Sequence, residues 1–322
     1  MQLYAVSKNA FLESIRQPIF PVLLLVGCLM LVLNPPLCAY TFDDDNKLLF
    51  DIGLSIILML GIMLSAFTAA GVVSREIENK TVLTVVSKPI ARWLFIVGKF
   101  LGVAAAITIA TWIWSLVFIF TARHGVMSTA SHRFDIPVIL FGSIAGVVSL
   151  VVATSGNYFS RKPFGGTLTI WLAGTLTVAF VLLSVINKQW QPQSPLLMFR
   201  AESGQVIMAL VLLMQALWLI CAIAPAMSTR FGQVPTLMAC LVIVFAGLCS
   251  AYFLADLSKT STLAAVVYRV LPNMQYFWMS DALTQGHMAS AGYFVNVSLY
   301  VVCFIVAALG LAVAMFETRE TS

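Results

Sequence analysis

Charge is scarce in this chain: 18 Lys and Arg and 13 Asp and Glu among 322 residues, 10% in all. A soluble domain carries about 25%. That shortage, with 61% hydrophobic residues and a mean hydropathy of +0.98, excludes a soluble globular protein. Motifs for energy conversion and catalysis are also missing. There is no G-x-x-x-x-G-K-[ST] phosphate loop, no HExxH and no GxSxG, so the chain does not hydrolyse ATP alone and matches no common hydrolase pattern. Six cysteines form no CxxC pair, and all lie in or at the end of apolar runs; they read as small packing residues. Only three histidines occur, His124, His132 and His287. All fall in connections between apolar runs, where solvated side chains are the default reading.

Eight stretches of about 20 to 24 residues carry no Asp, Glu, Lys or Arg, each long enough to cross a hydrocarbon core of roughly 30 Å as a helix. They are Ile19 to Tyr40, Ile52 to Val73, Phe100 to Ala122, Ile136 to Ser155, Phe164 to Ile186, Val206 to Met227, Val234 to Ala255 and Tyr293 to Phe316. Helices are expected because unpaired backbone amides in lipid each cost several kcal/mol, and no dyad alternation suggests a barrel. The fold class expected is all-α, a polytopic transmembrane helical bundle of six to eight spans forming one domain over residues 1–322. Asn34, Pro35 and Pro36 close the first run without an A-x-A site, so it reads as a retained span.

Net charge is +5, but the basic residues form no stripe or tail, which argues against a nucleic-acid partner. They sort better by side. With the N-terminus inside, alternation puts Lys8, Arg16, Arg75, Lys80, Lys88, Arg92, Lys99, Arg161, Lys162, Arg230 and Arg319 in the cytoplasm. Fewer cations lie outside, and the first outer loop holds Asp43, Asp44, Asp45 and Asp51. The expectation is a multi-pass protein of the cell membrane, in bacteria the inner membrane, with both termini cytoplasmic. Residues 1–18 have apolar positions at near-helical spacing before Pro18 and Pro21 and predict an interfacial helix. Residues 256–292 predict an outer interfacial or re-entrant segment: an amphipathic helix over 262–271 ended by Pro272, then a second over 273–283 whose rings settle at the headgroup level. Short connections at 157–163 and 228–235 predict helical hairpins, and Gly98/Gly102 and Gly142/Gly146 give GxxxG spacings.

An ion-driven transporter needs ionisable groups inside the membrane, and these runs hold none. Thr108, Thr111, Thr169, Thr175, Thr177 and Gln215 are milder and read as helix-packing hydrogen bonders. Energy for uphill transport must then come from another chain. The main interruption of the apolar pattern is SREIENKTVLTVVSKPIARWLFIVGKFLG, residues 74–102, with a net charge of +3. Glu76 and Lys80 stand at i and i+4 in the favourable order. Val82, Leu83 and Val86 supply an apolar face, Pro89 ends the turn, and Arg92 and Trp93 begin the next helix, with Lys99 able to snorkel back to the interface. These features predict a short helix parallel to the membrane, fit to dock a soluble protein, or an ordinary positive loop.

This segment resembles the region between the second and third spans of ABC type 2 transporter permeases, in its Arg75, Glu76, Glu78, Thr81, Ser87, Lys88, Pro89, Gly98 and Lys99. The family usually has Gly where Asn79 or Lys80 stands. The N-terminal helix is similar to the family's elbow helix, and Leu271 to Leu283 to its outer segment. The resemblance implies a permease subunit, itself no enzyme, of an ATP-driven exporter. Its implied partners are a separate ATP-binding cassette subunit holding ATP and Mg, a second permease copy or homologous permease, and membrane lipids. It further implies ATPase coupling through Arg75, Glu76, Ile77, Glu78, Asn79, Lys80, Thr81 and Val82, within a cytoplasmic loop at 74–99 supported by Ser87, Lys88, Pro89, Arg92, Gly98 and Lys99. No metal or cofactor is expected in this chain. The rival readings are a metal- or cofactor-handling membrane protein using the three histidines, and a membrane scaffold that transports nothing.

Overall fold

A computed structural model describes residues 1–39, 45–78, 91–126, 134–194, 201–284 and 290–319. Among them no strand forms, only an isolated bridge between Ile186 and Pro192. Backbone satisfaction in an apolar medium dictates this outcome, because a helix pairs its own amides. The helices are α1 (Gln2–Arg16), α2 (Ile19–Cys38), α3 (Asp45–Glu78), α4 (Arg92–His124), α5 (Ile136–Ser160), α6 (Phe164–Val185), α7 (Ala201–Ser228), α8 (Gln233–Thr260), α9 (Thr262–Val270), α10 (Ser280–Thr284) and α11 (Ala291–Arg319). Eight of them, α2 to α8 and α11, are long and apolar enough to cross a membrane. Each coincides with one of the eight uncharged runs.

The core is built on α3, α4 and α7, whose spanning windows are the most buried. Leu54, Ile57, Ile107, Phe118, Leu213 and Leu217 lie at its centre. By contrast α5, α8 and α11 present Val147, Val151, Met238, Val242, Val302 and Val306 outward, as lipid-facing helices must. Polar side chains within the spans join neighbours. Trp218 donates to Thr108 Oγ1 at 2.8 Å, Trp112 to Thr177 Oγ1 at 3.0 Å and Gln215 to Ser298 Oγ at 2.9 Å, while Ser149 and Thr175 share a hydrogen bond of 2.8 Å. Thr111 and Thr169 bond back to their own helices. The helix-packing hydrogen bonds expected of the six polar residues are thus made by Thr108, Thr175, Thr177 and Gln215.

Two faces follow from the alternation. On one, the ends of α4, α5 and α6 are knotted around Arg123. Its guanidinium pairs with Asp135 at 3.1 Å and donates to the carbonyls of Leu183 and Ile186, which have no further helical turn to pair with. Asp135, fully buried, also caps α5 by accepting from the Val138 N–H. His124 is part of the same knot: its Nδ1 accepts the Asp135 N–H, and its ring meets Phe134.

The segment that follows α8 lies on this face and folds back along that helix. Pro272 abuts Gly247, about 20 Å short of the tip of α8 at 1.5 Å per residue, and the Gln275 amide donates to the Leu248 carbonyl at 2.9 Å. Thus α9 runs back along α8. Tyr300 accepts the Asn273 N–H, Tyr293 donates to the Tyr276 carbonyl, and Ser280 bonds Asp51. The amphipathic helix expected over 262–271 is present as α9. The second, expected over 273–283, is not one helix: a 3-10 turn, Met274–Phe277, is followed by an extended Trp278 and then α10. Asn273 caps the 3-10 turn through Gln275 N–H. Phe277 is 1% exposed and belongs to the core rather than to a headgroup belt.

Candidate functional site

The opposite face carries the residues singled out for coupling. No breaker stands between Val73 and Glu78, so α3 does not stop at the end of its apolar run but carries Arg75, Glu76, Ile77 and Glu78 on the same axis. Its 34 residues give a rod of about 51 Å, roughly 20 Å longer than a hydrocarbon core. The beginning of the segment expected to be a separate helix parallel to the membrane is therefore the last turn of α3. Asn79, Lys80, Thr81, Val82, Ser87, Lys88 and Pro89 lie outside the described residues. The chain returns at Ala91, and Arg92 opens α4 with an exposed side chain beside exposed Trp93.

Gly98 and Gly102 form a bare strip on α4, and α1 lies in it. A methyl group on Gly98 would come within 2.7 Å of Val6 Cγ1; on Gly102 it would meet the backbone carbonyl of Ser7 and stand 2.6 Å from Ala10 Cβ. The GxxxG spacing thus serves an intramolecular contact. At Gly142 and Gly146 the second such spacing meets almost nothing.

Lys99, between the two glycines, does not snorkel to water. It is 2% exposed and its Nζ pairs with Glu13 Oε2 of α1 at 3.2 Å, with the Phe95 ring 5.6 Å away. The cause is steric: α1, seated on the glycines, covers the path from Lys99 to the interface and supplies a carboxylate instead. Sequence reasoning missed Glu13. It sits on the polar side of an amphipathic helix, 86 residues from its partner, and no local pattern links the two. The far end of α1 and the start of α2 pack on α6, where Gly165 admits Pro21 of α2 and Gly166 admits Ile15 of α1. Phe95 of α4 stacks on Phe316 of α11 at 5.8 Å, which brings the end of the last span to the same face.

A buried polar nest behind α1 was also missed. Gln17, Thr68 and Thr236 are at most 2% exposed, and both amide atoms of Gln17 and both threonine hydroxyls have no partner among the described residues. Thr68 and Gly71 share one face of α3, while Gln233 and Thr236 share one face of α8. A methyl on Gly71 would stand 2.8 Å from Gln233 Nε2 and 3.3 Å from Gln17 Nε2, so the groups converge. Gln233 also donates to the Phe67 carbonyl at 3.2 Å.

Of the three histidines, His124 is in the Arg123 knot on the other face, and His132 and His287 lie outside the described residues. Among the described residues, no three His, Cys, Asp or Glu side chains gather as metal ligands would.

With this geometry in view, comparison with known families is specific. Residues 24–156 match the model of the ABC-2 membrane transporter related family, a stretch that runs from α2 through α5 and contains the whole α3 to α4 connection. No curated protein matches the chain.

Proposed function

From the match over residues 24–156, which supports the ABC-2 type permease family and a membrane transporter permease, we propose that this chain is the membrane subunit of an ATP-driven exporter. A separate ATP-binding cassette subunit supplies the energy by docking on residues 76–82. The observation that carries this reading is the continuity of α3 from the core to Glu78. A helix hydrogen-bonded along its whole length transmits a push at one end to the residues packed at the other, and α3 packs on α2, α4, α7 and α8. The α4 side of the loop is held by α1 through Gly98, Gly102 and the Lys99–Glu13 pair. Movement of the docking segment would therefore reach the spans rather than fray the loop. The loop's net positive charge and the orientation bias favour a cytoplasmic location for this face, and hence cytoplasmic termini.

The test is co-expression with a candidate ATP-binding cassette ATPase from the same genome, recovery of the complex through a tag on the permease, and measurement of ATP hydrolysis. Glu78→Lys and Thr81→Asp should each reduce recovery and permease-stimulated hydrolysis. Unchanged recovery and stimulation in both would remove residues 76–82 from the docking site.

A further inference from the structure

A groove of about 350 Å³ lies where the end of α1 meets the start of α6, on the face that carries the α3 to α4 connection. Its mouth holds two cations from separate elements, Arg16 of α1 and Lys162 of the α5 to α6 link, and its wall is apolar, formed by Leu12, Ile15, Ile170 and Trp171. Both basic side chains are exposed, and neither makes an ion pair or side-chain hydrogen bond among the described residues. Ile170 and Trp171 are 54% and 46% exposed and continue along α6 into the span. Charge at the rim, with an apolar wall leading inward from it, matches a molecule that has an anionic head and a hydrocarbon tail. A free phosphate would use the cations and leave the wall wet.

We propose that the α1–α6 groove binds an anionic phospholipid, with its phosphate between Arg16 and Lys162 and an acyl chain along Ile170 and Trp171. The groove is shaped by sequence. Arg161 takes a left-handed conformation, φ 50°, that ends α5, and the Asn157 side chain holds the Lys162 carbonyl at 2.8 Å, fixing the link that presents Lys162. Gly165 and Gly166 let α1 approach closely enough for Arg16 to share the rim. Basic pockets between spans on the cytoplasmic side suit anionic headgroups, and each nearby cation contributes about a fivefold gain in affinity. The site needs only that this face be a membrane interface. It does not depend on ATPase docking or on transport.

The test uses full-length protein in a neutral detergent, titrated with short-chain phosphatidylglycerol and matched phosphatidylcholine, with retained lipid counted by native mass spectrometry. Phosphatidylglycerol should be held preferentially. The double variant Arg16→Gln/Lys162→Gln should weaken its binding about 30-fold, while Arg16→Lys/Lys162→Arg should retain it. Lys8→Gln removes a cation from α1 outside the groove and should leave binding unchanged. Helical circular dichroism and gel filtration report whether each variant is folded. Equal retention of the two lipids, or full retention by the folded double glutamine variant, would overturn the site. Displacement of phosphatidylglycerol by equimolar inorganic phosphate would assign the cations to a small anion and overturn the lipid.

Discussion

The Lys99–Glu13 pair makes an asymmetric prediction. Lys99 is 2% exposed and Glu13 27% exposed by side chain, so the two partners pay differently for losing each other. Glu13→Ala leaves an ammonium inside the bundle that α1 keeps from water. Removing one partner of a buried pair costs about 3–5 kcal/mol, and the Phe95 ring, 5.6 Å from Nζ, puts this case at the lower end, about 3 kcal/mol. Lys99→Met keeps the volume and leaves a carboxylate that water already reaches, for a cost of about 1 kcal/mol. The double variant Glu13→Ala/Lys99→Met removes both charges of the pair and should be more stable than Glu13→Ala alone, giving a coupling energy of about 2 kcal/mol in the cycle. Equilibrium unfolding of the purified variants in mixed micelles measures all four corners. If Glu13→Ala costs no more than Lys99→Met, or if the two losses simply add, the account of α1 as the lid over a buried charge is wrong.

Three further outcomes follow from the geometry. Gly102→Val places a side chain against the Ser7 carbonyl, which is backbone and cannot rotate away; it should cost about 1–3 kcal/mol and make the first 16 residues sensitive to protease, whereas Gly146→Val, with nothing nearby, should do neither. Asp135→Ala removes both the partner of Arg123 and the cap of α5; a loss of about 3–5 kcal/mol in the same unfolding assay is expected, with Asp135→Asn smaller because the amide oxygen still caps. Gln17→Leu replaces an amide without partners among the described residues by a side chain of similar length, so it should be neutral or raise the unfolding midpoint, since an unsatisfied buried polar group costs about 1–3 kcal/mol; a clear drop would mean that the amide is hydrogen-bonded in solution.

The spans were legible because a membrane imposes one requirement, length without charge, that a sequence displays openly, and the eight uncharged runs all became helices. Helix ends were less legible. Hydropathy stops α3 at Val73, whereas the helix continues to Glu78 because its hydrogen bonds do not depend on polarity. Hairpins at 157–163 and 228–235 could be read from Pro163, Pro235 and the shortness of the links. What could not be read were contacts between distant residues. Lys99 looked like an interfacial cation because its local pattern is that of one; only the seating of α1 on Gly98 and Gly102 encloses it. Phe277 looked like a belt aromatic for the same reason, until the fold-back against Gly247 carried it inward. The fold of the segment after α8 rests on Leu248 and Tyr300, each 27 residues from its partner, and on Asp51, 229 residues away.

The seat of α1 also sets an order of events during synthesis. The helix emerges first, but its berth on α4, and the lysine that Glu13 must meet, are made 86 residues later. At about 5–20 residues per second the wait is on the order of 4–17 s. Throughout it the side of α1 that will face α4 has no partner, and the bilayer surface is the available shelter. Only when α4 has entered can α1 dock on it, so α1 reaches its final place after helices that are translated later than itself.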